Sequence, residues 1–194
     1  MIQILNWGTN EVIFKGNYPS IKAAVEDAIK QGVSLAYADL FKADLRGANL
    51  TRANLAWAIL VGANLTDAIL TDADLTGANL ARTILTGAIL VGANLTGAIL
   101  TRANLRWANL TRAILTGAIL VGANLTGAIL IRAYLILSNL TGSILAMADF
   151  FEANLTDADL RWAVLVGANL ANAILTDADL TGAIVTGTIL EKKL

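Results

Sequence analysis

From Leu35 to Leu190 an apolar residue recurs at every fifth position, Leu at 30 of 32 of them, with Phe150 and Val185 at the other two. Two residues before each stands Ala in 27 of the 32 cases, replaced only by Val33, Thr83, Ser138, Ser143 and Thr188. Between these two positions lies Asn or Asp in 17 repeats and Ile in 12. A period of five suits neither regular element. Five residues advance an α-helix by about 500°, which would spiral the leucines over its whole surface. A flat strand alternates faces with period two, so a five-residue step would flip each Leu to the other face. A bend once per repeat removes the conflict: Ala points in, its neighbour out, Leu in, and the last two residues turn a corner. Every Leu then faces one axis.

The first 32 residues lie outside this pattern. Ile2 to Leu5 and Glu11 to Lys15 read as two short strands around Asn6-Trp7-Gly8-Thr9-Asn10. Ser20 is placed to N-cap a helix that runs to about Gln31 and stops at Gly32. Ile21, Ala24, Val25, Ala28 and Ile29 share one stripe of that helix. A solenoid needs its end coil covered, so residues 1–32 are expected to form a hairpin-plus-helix cap and residues 33–192 the repeat body.

The unit A-(N/D/I)-L-x-x, as in Ala48-Asn49-Leu50-Thr51-Arg52, resembles the signature of the pentapeptide-repeat family. The resemblance implies an all-β fold, a right-handed quadrilateral β-helix with four repeats per coil and about eight coils. At the usual strand spacing of ~4.8 Å the rod would be about 38 Å long. It also implies dimerisation through the C-terminal coil, whose open end would expose Leu175, Leu180, Val185 and Leu190. The activity best known in the family is mimicry of duplex DNA toward DNA gyrase or topoisomerase, which relies on a strongly negative rod.

Composition narrows the chemistry. The chain has no Cys and no His, which removes disulfides, thiolate metal sites and the commonest general base. Mean hydropathy is high, +0.64, yet Asn, Asp, Thr or Arg breaks up every apolar run, so no membrane span is expected. Met1 to Lys15 lacks the basic and apolar regions of a secretory signal, and a cytoplasmic location is the default reading. Paired acids occur at Asp72 and Asp74, Asp157 and Asp159, and Asp177 and Asp179. They fall at outward positions of a regular rod without inserted loops, which offers little concavity for catalysis. No cofactor or metal is expected, and the chain reads as a non-enzyme.

Charge is unevenly spread. Residues 33–74 carry five acids and three bases, 75–148 carry only Arg82, Arg102, Arg106, Arg112 and Arg132, and 149–192 carry seven acids and two bases. The positive middle breaks the long negative surface that DNA mimicry needs. The coil spacing puts Arg82 beside Arg102 and Arg112 beside Arg132 on opposite sides, which argues against one nucleic-acid-binding face. It also stacks Ile144, Val164 and Ile184 on one side, and Ile99 and Ile119 on another. Exposed apolar stripes mark partner surfaces. The leading expectation is therefore a non-catalytic rigid scaffold or protein-interaction module with a candidate partner surface at Ile144, Val164 and Ile184. The alternative is a DNA-mimicking protein that binds gyrase or topoisomerase.

Overall fold

A computed structural model describes residues 1–191 of the 194-residue chain. The body is built from isolated parallel bridges, each joining residues 20 apart, from Asp39 with Ile59 to Val164 with Ile184. One coil is thus 20 residues, or four five-residue repeats, and the bridges form four ladders. We name each ladder by its first residue: Asp39, Asp44, Asn49 and Asn54.

The backbone of each repeat is satisfied in the same way. The Leu50 amide donates to the Ile69 carbonyl of the next coil (2.7 Å), the Arg52 amide to Thr71 (2.9 Å), and the Ile69 amide back to Ala48 (2.9 Å). The corner closes with the Ala53 amide donating to the Leu50 carbonyl (3.0 Å). Only the second of the two corner residues has positive φ, the sign pattern of a type II turn. This holds at every fifth residue from Tyr37 to Gly187. Glycine meets that demand without cost at Gly97 and Gly117, but Trp57, Trp107 and Trp162 meet it too. The frequent Asn or Asp before Leu steadies the corner. Asn49 Oδ1, for example, accepts from both the Thr51 amide (3.1 Å) and the Thr51 hydroxyl (2.7 Å).

The core is a continuous column of Leu and Ala. Residues such as Leu65, Leu105 and Ala108 are fully buried, and Phe150 replaces Leu with equal burial. Each buried Leu contributes about 2 kcal/mol of transfer free energy before conformational entropy is subtracted. The polar replacements on the inner face are accommodated individually. Thr83 donates to the Leu60 carbonyl (2.9 Å) and Ser138 to Leu135 (2.7 Å). The buried Ser143 hydroxyl has no partner among the described residues.

Ahead of the coils, β1 (Ile2–Leu5) and β2 (Val12–Gly16) pair antiparallel, and α1 (Ile21–Lys30) follows. Ser20 is the N-cap, its hydroxyl accepting from the Ala23 amide (3.2 Å), and Gly32 has φ +74° just past the helix. These elements hydrogen-bond to the first coil. The Asp39 amide donates to the Leu5 carbonyl (2.8 Å) and the Trp7 amide to Tyr37 (3.0 Å). Glu26 of α1 accepts from the Asn49 amide (2.8 Å) and Lys22 donates to the Arg46 carbonyl (3.1 Å). Ile4, Ala24, Val25 and Ala28 are buried in the same core as the leucines.

At the other end the regular pattern stops before the last repeat. The Asn49 ladder ends at Asn169, with no bridge to Ile189 among the described residues. The expected exposure holds in part: Leu175, Leu180 and Val185 are half-buried. Leu190 differs, being only 8% exposed. Thr188 keeps the corner bond from its amide to the Val185 carbonyl (3.0 Å), adds one from its hydroxyl (2.7 Å), and accepts from the Leu190 amide (3.1 Å). Leu190 keeps the inward direction of the repeat.

Candidate functional site: an apolar face on the C-terminal coils

The two residues that follow the inward Ala and Leu point outward, so each ladder with its flanking corners forms one strip of surface. The Asp44 ladder runs Asp44, Asn64, Ile84, Asn104, Asn124, Ile144, Val164, Ile184. Ile144, Val164 and Ile184 are therefore stacked in register, as expected. Ile144 is 40% and Ile184 50% exposed, with Val164 between them half-buried. Ile99 and Ile119 likewise stack on the Asp39 ladder.

Three further side chains enlarge the Ile144–Val164–Ile184 strip, and sequence reasoning passed over all three. Val166 follows Val164 in the same repeat and is exposed; Met147 and Trp162, at the two flanking corners, are 66% and 65% exposed. The Trp162 ring lies flat over the next coil, where a Cβ on Gly182 would collide with it. A corner side chain leans over the corner 20 residues later, so a large ring needs Gly there. Trp57 with Gly77 and Trp107 with Gly127 repeat the arrangement. That pairing is visible in sequence once the 20-residue coil is known. Over three coils the face holds Ile144, Ala146 and Met147, then Trp162, Val164 and Val166, then Ile184 and Thr186, with Arg161, the corner neighbour of Trp162, as its one charged residue.

Carboxylates border it. On the adjoining Asp39 ladder, Arg161 makes a bidentate pair with Asp159 (2.9 and 2.7 Å) and approaches Asp179 (3.7 Å). The hydrogen bonds from Arg161 hold the Asp159 carboxyl down at about 2. The Asp179 carboxyl also lies below its ordinary value, chiefly through its hydrogen bond from the Thr181 hydroxyl. On the other side, Asp149 accepts from the Asn169 side chain (2.8 Å).

The other candidates do not assemble into a reaction centre. Asp157 stacks above Asp177 at one corner, both exposed. Arg82 and Arg102 line one side of an open groove of about 460 Å³ with Thr101 and Asn79. At the opposite corner Arg132 is bound by Glu152 (2.6 Å). Among the described residues no group of acids is arranged to hold a metal ion, and no helix is long and apolar enough to cross a membrane.

Four stretches, 48–87, 85–117, 118–157 and 153–191, match the model of pentapeptide repeats, with eight copies. The chain belongs to the pentapeptide-repeat family. A trypsin-treated form of QnrB1, a plasmid-mediated fluoroquinolone resistance protein, shares the fold at 20% identity and a TM-score of 0.57, covering 78% of this chain and 69% of that one. HetL, a pentapeptide repeat protein involved in heterocyst differentiation regulation from the cyanobacterium Nostoc sp. strain PCC 7120, is 34% identical. The alignment covers 81% of this chain and 83% of HetL, with a TM-score of 0.26. No curated relative matches the chain. The family membership places the coils in a β-solenoid.

Proposed function

We propose that this pentapeptide-repeat protein is a non-catalytic, rigid interaction module that docks a protein partner on the face built around Ile144, Val164 and Ile184. The observation that carries the reading is the stack of Ile144, Val164 and Ile184 on the C-terminal coils, widened by the exposed Met147, Trp162 and Val166. Burial of such a strip against a partner would remove apolar area from water, with Trp162 as its largest contributor. Four ladders per coil support a quadrilateral helix, for which the family resemblance implies the right hand, and the hydrogen bonds from β1, Trp7 and Glu26 to the first coil support residues 1–32 as its N-terminal cap. The half-buried Leu175, Leu180 and Val185 support a homodimer through the C-terminal coil as an accompanying proposal.

The test is a double substitution, Val164→Lys with Ile184→Lys. Both side chains point away from the core, so the circular dichroism spectrum should be unchanged. Co-purification of the partner should be abolished. Unchanged co-purification would remove this face from consideration.

A second reading, mimicry of duplex DNA toward DNA gyrase or another topoisomerase, draws on one observation. Asp157 over Asp177 and Asp159 over Asp179 make two short acidic ladders on the C-terminal coils. Arg82, Arg102, Arg106, Arg112 and Arg132 interrupt the negative surface toward the N-terminus, which ranks this reading second. A supercoiling assay with and without a quinolone decides it: inhibition or drug protection by excess protein supports mimicry, and no effect rejects it.

A further inference from the structure

The face is bordered by carboxylates that outnumber the bases beside them. From Asp149 to Lys192 there are seven acids and two bases. Arg161, the base nearest the face, is already engaged by Asp159 (2.7 Å) and Asp179 (3.7 Å). Asp149 flanks the face from the adjoining Asn49 ladder and accepts from the Asn169 side chain (2.8 Å) and the Phe151 amide (3.0 Å), with no cation paired to it among the described residues. The field around Trp162, Val164 and Ile184 is therefore negative. The coils concerned span about 14 Å along the rod, so all of these charges act within one or two Debye lengths of the face.

We propose, resting on the docking reading above, that the occupant of this face is a basic amphipathic segment: an apolar stripe flanked by Lys or Arg. Its apolar side chains would lie against Trp162, Val164 and Ile184, and its cations would meet the bordering carboxylates. Charge complementarity of this kind fixes orientation and speeds association. It also argues against the other occupants. Two copies of this chain apposed through the same face would bring two acidic borders together. An anionic lipid surface would be repelled in the same way. The face is also small. Three coils of one strip run only about 14 Å along the rod, which suits a short segment.

The test uses the full chain and three fluorescein-labelled synthetic helices of about 18 residues. One is a Leu/Lys amphipath, one has the same Leu positions with Glu for Lys, and one keeps Lys but has Ser for Leu. Anisotropy titrations are run at low and moderate salt, with sedimentation of the protein alone. The Leu/Lys peptide should bind at least about tenfold more tightly than either other peptide and weaken with salt. Val164→Lys with Ile184→Lys should weaken it by about tenfold or more. The same two charges placed at Ile69→Lys and Ile89→Lys, on another ladder, should weaken it only slightly. Equal loss from both double variants would mean general charge attraction and would overturn the proposal. Binding of the Leu/Glu peptide instead, lost with Val164→Lys and Ile184→Lys, would overturn the basic-partner inference while leaving the docking reading standing. Failure of all three peptides to bind overturns the inference too. Self-association abolished by Val164→Lys with Ile184→Lys would reassign the face to a second copy.

Discussion

The two ends of the Asp44 ladder share one backbone and differ in almost everything that faces water. At the N-terminal end Asp44 and Arg46 form a bidentate pair (2.8 and 2.6 Å), and Asn64 accepts from the Thr66 hydroxyl (2.7 Å). At the C-terminal end the equivalent positions are Val164 with Val166 and Ile184 with Thr186. Beneath Asn64 and Val164 the inner residues are the same buried Ala and Leu, whereas Ser143 lies beneath Ile144 and the half-buried Ala183 and Val185 beneath Ile184. The lesson is a separation of roles. The inward positions determine the coil, and the outward positions can be rewritten coil by coil to give a polar surface in one place and a docking face in another.

That separation can be broken in graded ways. The largest effect should come from the shared interior. Leu65 lies beneath the polar end and Leu165 beneath the apolar end, both essentially fully buried. Leu65→Ala and Leu165→Ala should each cost about 2–5 kcal/mol, and by similar amounts, in denaturant unfolding monitored by circular dichroism. A much smaller cost at either site would mean that the coils are not equivalent inside. Next, Gly182→Ala places a methyl group against the Trp162 ring at a residue with φ +70°. It should cost about 1–2 kcal/mol and shift tryptophan emission, whereas Gly117→Ala, with open space around it, should show only the backbone penalty of about 1 kcal/mol.

A smaller effect is expected from exchanging the exteriors. Val164→Asn makes the apolar end resemble Asn64. It should change stability by about 0.5 kcal/mol or less, while weakening partner binding clearly. The smallest is electrostatic. The Asp159 carboxyl is held at about 2, below its ordinary 3.8, mainly by the hydrogen bonds from Arg161. A folded-state value below the unfolded one stabilises the fold above pH about 4, and this contribution is lost as pH falls toward 2. Arg161→Gln should therefore lower the melting temperature slightly at pH 7, and most of the difference from the parent should be lost by pH 2. A gap as large at pH 2 as at pH 7 would mean that Arg161 acts through packing.

The interior was readable from sequence because a period of five leaves one consistent way to bury Leu and Ala. Leu105 and Ala108 lie where that period puts them. The helix was equally legible, since Ser20 and Gly32 carry cap chemistry that depends on neighbouring residues alone. In the hairpin the second strand begins at Val12 rather than Glu11, because the Asn6 carbonyl and side chain organise the turn that precedes it. Leu190 points inward as the repeat dictates, and it departs only from the exposure expected of an open end, being buried where Leu175, Leu180 and Val185 are half-buried. Of the candidate face, the stacked Ile144, Val164 and Ile184 followed from coil length. Trp162 and Met147 did not, because a corner residue with positive φ looks like filler until the lean of its side chain over the next coil is seen.

The most direct test of the docking account places a photocrosslinker, benzoylphenylalanine, at Val164 in one variant and at Asn64, on the same ladder, in another. Irradiation in cells that express the protein should give a discrete heavier adduct from position 164 and none from position 64. Adducts of equal yield at both positions, or from position 64 alone, would contradict the claim that the C-terminal end of this ladder is the docking face.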